Sequence, residues 1–219
     1  MIKIEKKAEP NEWTQYRKTP GAEYQSCDAL VQSLLTEQGY ICAYCMRRIP
    51  QRDKINGKLT QEDHRVEHIQ CREKYPHLQL DYKNMVICCP GHIGDEDHCD
   101  RSKDTDRISF SPLDKHFIDT IRYDTEGQIS SINSCYDQEI NKVLHLNTPL
   151  LVINRRSALD VVIQMIKQVE KGKPWTTSVL QRYINKYSTM HNYGGKMQYI
   201  PYCGIVLYYL NKKLSKCKP

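Results

Sequence analysis

The sequence contains no apolar run of the ~18 residues that a membrane-spanning helix requires. Behind the charged opening Met1-Ile-Lys-Ile-Glu-Lys-Lys there is no hydrophobic h-region, so no secretory signal peptide is expected and the chain should stay in the cytoplasm. It shows no internal repeat and no low-complexity segment, which excludes repeat arrays and compositionally disordered tracts. What is present is ordinary for a soluble globular protein: 39% hydrophobic and 26% charged residues. A chain of 219 residues can form one generous domain or two small ones.

Ten cysteines are therefore read in a reducing setting, where metal ligation or buried free thiols are favoured over disulfides. The net charge of +6 is mild but unevenly placed. From Gln181 to Pro219 there are seven Lys or Arg, seven tyrosines and no Asp or Glu. Cations interleaved with rings suit a polyanion whose bases can stack, and equally describe a basic helical surface with its tyrosines in the core.

Residues 1–24 are polar, contain Pro10 and Pro20, and are expected to form an extended arm. Leu30, Val31, Leu34 and Leu35 lie at helical spacing over Asp28 to Gln38, with Asp28 as a capping candidate. Cys42 to Ile69 suggests knuckle, loop and strand; Lys83 to Cys89 a second short strand; Cys99 onward a polar helix. Phe117 to Ile132 suggests a hairpin turning at Asp124-Thr-Glu-Gly127. Val152, Leu159, Val162, Ile166 and Val169 mark one face of a long helix stopped by Gly172 and Pro174. Two further helices are expected near Ser178–Tyr187 and Ile200–Leu214. A soft boundary near residue 112 separates 1–112, which carries the polar chemistry, from 113–219, a hairpin and helical support.

Cys42-Ala-Tyr-Cys45 is a C-x2-C knuckle, whose tight turn can present two thiolates to one tetrahedral zinc. The second pair must come from Cys88, Cys89 and Cys99, and Cys89 with Cys99 is favoured. Cys88 competes with Cys89, but neighbours on a strand face opposite ways, so only one reaches the metal. A structural zinc supplies about 10–16 kcal/mol of apparent binding energy in small domains. Cys27, Cys135, Cys203 and Cys217 show no partner spacing and are expected as free thiols.

Between the halves of this staple lie Val66-Glu67-His68-Ile69 and Asp81-Tyr-Lys-Asn84-Met-Val-Ile, followed by Cys99-Asp100-Arg-Ser-Lys103. Phosphodiester hydrolysis needs a base for water, a cation to neutralise phosphate and leaving oxygen, and a group that orients the base. Neutral imidazole suits the first task, carboxylates suit a hard ion such as magnesium, and an amide can fix an imidazole. Five of the eight histidines fall between 64 and 98, so His64 and His98 are rival ligands or substrate contacts.

This order of knuckle, Glu-His-Ile, Asn with an apolar strand, and Cys-Asp-x-x-Lys resembles the HNH, or ββα-metal, nucleases that carry a zinc staple. The resemblance implies His68 as general base, Glu67 and Asp100 as ligands of a catalytic Mg2+ or Mn2+, and Asn84 as the catalytic motif's middle residue. It also implies that Lys103 faces phosphate. Glu replaces the more usual Asp at the first position, Asp replaces His or Asn at the last, and Cys71 stands where Pro is common. The opening Met-Ile-Lys-Ile, Lys74-Tyr-Pro76 and Ile205-Val-Leu-Tyr-Tyr-Leu further resemble the HNH nuclease subunit of Septu anti-phage defence systems, also found beside certain retrons. That subfamily implies an ATPase partner of the ABC or structural-maintenance-of-chromosomes type, and in some settings a retron reverse transcriptase complex. Gly194-Gly-Lys196 lacks the spacing of a P-loop, so any ATP must be bound by the partner. The fold expected is α+β: a small zinc-stapled ββα-metal core followed by a mainly helical C-terminal region. The substrate implied is nucleic acid, DNA or RNA; the alternative is a non-catalytic zinc-stabilised subunit that binds nucleic acid or protein.

Overall fold

The computed structural model describes residues 1–49, 64–93, 96–171 and 173–217. Among them no helix is long and apolar enough to cross a membrane. The architecture is α+β, with short antiparallel strand pairs set among helices.

The arm is not extended throughout, because residues Asn11–Arg17 form a helix, α1. Its single apolar anchor accounts for it. Trp13 is fully buried, its ring 5.5 Å from Tyr16 and 6.2 Å from Tyr24. Helix α2 (Asp28–Glu37) follows with Leu30, Val31, Leu34 and Leu35 buried, as its periodicity requires. Cys27, not Asp28, occupies the N-cap and makes no side-chain cap bond. Asp28 opens the helix instead, where its charge favours the positive end of the dipole.

Strands β1 (Arg65–His68) and β2 (Met85–Cys88) pair antiparallel, setting Glu67 opposite Val86 and His68 opposite Met85. Strand β2 is buried on both faces, and its alternation divides the core. Met85 and Ile87 join Trp13, Leu30, Leu34 and Tyr82 on one side; Val86 and Cys88 join the larger cluster on the other. The 50–63 part of the expected loop before β1 lies outside the described residues. A small hairpin, β3 (His92–Ile93) with β4 (Glu96–Asp97), leads to the one-turn helix α3 (Asp100–Lys103).

Beyond residue 112 the larger apolar cluster continues. Phe110 stacks on Phe117 at 3.8 Å between centroids, nearly parallel. Phe117 belongs to helix α4 (Lys115–Thr120), capped by Asp114, and not to the hairpin; the strands are β5 (Ile121–Tyr123) and β6 (Ile129–Ser131). Helix α5 (Ser134–Lys142) is capped by Asn133, and the long α6 (Pro149–Glu170) buries Leu151, Leu159, Val162 and Ile166. Val169, expected on the same face, is 55% exposed in the last turn. The helix ends at Lys171 in a left-handed conformation; Gly172, the expected stop, lies outside the described residues. Arg155 of α6 is buried but not unsatisfied, donating to the carbonyls of Gly127 (2.6 Å) and Leu146 (2.7 Å). Gly127 must be glycine there: φ is 97°, and a Cβ would lie 2.3 Å from the Val152 carbonyl oxygen. Helix α7 (Thr177–Ser188), the hairpin β7 (His191–Tyr193) with β8 (Lys196–Gln198), and α8 (Cys203–Lys216) complete the fold.

Candidate metal centre and adjoining cleft

Four thiols converge. Cys42 and Cys45 come from the turn after α2, Cys89 follows β2 directly, and Cys99 immediately precedes α3. Their sulfurs all lie within 4.8 Å of one another and all four residues are buried. Cys42 Sγ stands 3.8 Å from Cys99 Sγ, and Cys45 Sγ 3.7 Å from Cys89 Sγ. A tetrahedral ion with metal–sulfur bonds of ~2.3 Å separates its ligands by about 3.8 Å, so the spacing fits zinc and is far too long for disulfides. The knuckle is held by Cys42 N donating to Arg47 O (2.9 Å) and Met46 N to Cys42 O (3.1 Å). The β3–β4 hairpin returns the chain to the centre, with His98 N bonded to Gly91 O at 2.7 Å. Gly91 has φ of 75°, and a Cβ there would meet His98 O and Arg101 Cβ at 2.6 Å.

Burial raises the Cys42 thiol, but bonds with Cys45, Cys88, Cys89 and Cys99 carry it well below the ordinary thiol value. Burial together with the Cys42 sulfur pushes Cys88 well up, but Cys89 and Cys99 are pushed up as well, so it is position that leaves Cys88 out of the converging set. His98 and His64 are not among the converging ligands. His98 instead places Nδ1 3.1 Å from Cys99 Sγ, where an N–H can neutralise thiolate charge as outer-shell partners do.

A cleft of about 450 Å³ opens beside this frame, lined by Glu67 and His68 of β1, Asp100 and Lys103 of α3, and Arg65 and Arg72. The His68 ring is fixed from two sides. Its Nε2 lies 3.0 Å from the Gln79 carbonyl, and the Tyr24 ring packs against it at 87°, 4.5 Å between centroids. A carbonyl only accepts, so Nε2 carries the proton and Nδ1 keeps its lone pair. Burial depresses His68 to about 4, so the ring is neutral near neutrality.

Glu67 is 3% exposed and accepts from Tyr44 Oη at 2.8 Å and Lys103 Nζ at 2.9 Å. Burial, then its hydrogen bond with Asp100, pushes the carboxyl well above the usual range. Asp100 is in turn ion-paired with Arg65. Two touching carboxylates at an open cleft form a hard oxygen donor set of the kind magnesium uses together with substrate phosphate.

Two expected roles change with these positions. Lys103 does not face outward to phosphate; its side chain is fully buried, bonding Glu67 and the His68 carbonyl (3.1 Å). One turn of α3 turns the lysine back under β1. Asn84 does not touch the His68 ring. Its Oδ1 accepts from Gln70 N at 2.8 Å and its Nδ2 donates to Gln70 O (3.0 Å) and Leu78 O (3.3 Å). It braces the 69–84 loop that presents the Gln79 carbonyl. The sequence did not single out Tyr24, Tyr44, Arg65 or Gln79; Tyr44, inside the knuckle between two ligands, carried the one usable signal.

No protein-family model matches this sequence, and no curated protein matches it.

Proposed function

We propose that this chain is a metal-dependent endonuclease of the HNH, or ββα-metal, type, stapled by a structural zinc on Cys42, Cys45, Cys89 and Cys99. One observation carries the reading: Glu67, His68 and Asp100, from two separate elements, line a single cleft beside the thiol cluster. In this reading His68 Nδ1 takes the proton from the attacking water, while the Gln79 carbonyl holds the ring in that tautomer. Glu67 and Asp100 would hold Mg2+ or Mn2+, which supplies charge neutralisation at the scissile phosphate and leaving oxygen. Tyr44 and Lys103 orient Glu67, Asn84 braces the loop behind His68, and Arg65 and Arg72 give the cleft positive charge for a polyanion.

The biological setting we propose rests on the sequence resemblance alone: the effector nuclease of a cytoplasmic anti-phage complex of the Septu or retron-associated kind, acting with an ATPase partner. The test is a cleavage panel over duplex DNA, single strands and structured RNA with Mg2+ or Mn2+, with and without that ATPase. His68→Ala should lower the rate about 10²–10⁴-fold. Equal rates in the two proteins would remove His68 from the mechanism.

A second reading, a zinc-stabilised binding subunit without catalysis, is favoured by the pairing of Glu67 and Asp100 with Lys103 and Arg65. Acids satisfied by the chain's own cations need no metal to persist. That reading expects full anti-phage protection from His68→Ala.

A further inference from the structure

Two tyrosines on α8 each carry a lysine one helical turn later. Lys212 Nζ lies 5.9 Å from the Tyr208 ring centroid, and Lys213 Nζ 5.4 Å from that of Tyr209. Cavities flank the helix on both sides of these pairs. One, of about 340 Å³, is lined by Tyr208, Tyr209, Lys212, Lys213 and Lys216 together with the β5–β6 turn. The other, of about 940 Å³, lies toward α6 and adds Trp175, Lys167 and Lys173. Tyr209 and Lys213 line both, so the two cavities meet at these side chains of α8. The Trp175 ring stands 6.3 Å from Tyr209 at 70°.

Lysines near a helix C-terminus complement its dipole, and that alone accounts for Lys213 and Lys216. It does not account for Lys167 and Lys173, which reach the same groove from α6 and the segment after it. Nor does it account for Tyr208, Tyr209 and Trp175 remaining only half-buried beside these cations. The groove's acids are Asp124 and Asp160, and Asp160 is paired with Arg156 at 3.7 Å. Lys212, Lys213 and Lys216 pair with no carboxylate among the described residues. The excess positive charge calls for a polyanion, and the interleaved rings choose which. Planar bases stack on aromatic side chains only when unpaired, whereas an acidic peptide uses the lysines and leaves the rings without a planar partner.

We propose that the α8 groove binds single-stranded nucleic acid, with backbone phosphates on Lys212, Lys213 and Lys216 and bases stacked on Tyr208, Tyr209 and Trp175. No residue of this groove lines the cleft at His68, so the proposal holds whether or not that cleft cuts.

Fluorescence anisotropy tests it, with a labelled oligothymidine of about 12 nucleotides, within the span of one stacking groove. The full chain with His68→Ala serves as background, so the probe survives if the cleft is a nuclease and is unaffected if it is not. Replacing Lys212, Lys213 and Lys216 together by Gln should weaken binding at least tenfold and flatten the salt dependence of log K by about 2, at ~0.7 per phosphate contact. Replacing the same three by Arg should preserve both, which separates charge from misfolding. Tyr208→Leu should weaken the oligonucleotide about fivefold or more, and leave competition by polyglutamate unchanged. Unaltered oligonucleotide binding in the Gln variant overturns the proposal. So does polyglutamate competing on equal terms with oligothymidine while Tyr208→Leu has no effect, which would make the occupant an acidic protein segment.

Discussion

The thiol cluster and the acid–imidazole cleft are built on the same β1–β2 pair, yet they hold their charges in opposite ways. At the cluster four like groups are forced together, and the side chain bonded to Cys99 Sγ is the imidazole of His98, which burial holds neutral, rather than a lysine or arginine. At the cleft each acid arrives with its own cation, Glu67 with Lys103 and Asp100 with Arg65. An ion held by the first arrangement would become part of the folding free energy, whereas the acids of the second are already paired by the chain's own cations. The thiol cluster and the cleft thus differ in where the counter-charge comes from.

The sharpest way to break this comparison is at the staple. Cys42→Ser should lose bound zinc and destabilise the protein by at least about 5 kcal/mol, a fall of roughly 10–20 °C in Tm for a chain of this size. Cys88→Ser, equally buried but outside the ligand set, should keep one zinc and cost only about 1 kcal/mol. Elemental analysis and calorimetry on both variants decide it. Zinc retained by Cys89→Ser and lost from Cys88→Ser would reverse the ligand assignment.

At the cleft the expected effect is smaller and ion-dependent. Lys103→Met leaves Glu67 buried without its ammonium, and breaking such a pair costs about 3–5 kcal/mol. Mg2+ or Mn2+ should restore part of that loss, because a divalent ion can replace the missing positive charge at Glu67 and Asp100. Denaturant melts with and without the ion measure this. Identical melts of the variant under both conditions would mean that these carboxylates do not serve a metal.

The staple was also the more legible region. Spacing favoured Cys89 over Cys88 without deciding between them, and the sulfurs that converge include Cys89 and not Cys88. The helices α2 and α6 followed from apolar periodicity, and helices near α7 and α8 were expected as well. Segments whose anchors are few were not legible. Helix α1 depends on one buried residue, Trp13, and the β7–β8 hairpin exposes most of its side chains, so neither leaves a periodic signal. Asp114 as a cap was the sign that α4 begins before the β5–β6 hairpin. At the cleft, chain order gave the acids and the imidazole but not the direction of a side chain within a one-turn helix. Lys103 was therefore assigned to phosphate when it belongs to Glu67. Asn84, expected as the middle residue of the catalytic motif, spends its amide on the Gln70 and Leu78 backbone, since an amide's partners are set by backbone that sequence does not fix.

Arg65 offers the finest test, because it sits at the boundary between the two regimes. Its guanidinium is 38% exposed while the Asp100 carboxylate it pairs with is 13% exposed, so solvent screens much of the attraction. Arg65→Gln should change stability by less than about 1 kcal/mol, in contrast to Lys103→Met. Removing a cation that competes for Asp100 should also tighten Mn2+ binding, by no more than about fivefold for that same energy. On the proposed nuclease reading cleavage should nevertheless fall, since the cleft loses one of the positive groups that line it. Manganese titration and a rate measurement on the one variant separate these effects. Tighter metal binding with slower cutting places Arg65 on the substrate side of the site, whereas weaker metal binding would mean that the guanidinium positions Asp100 for the ion.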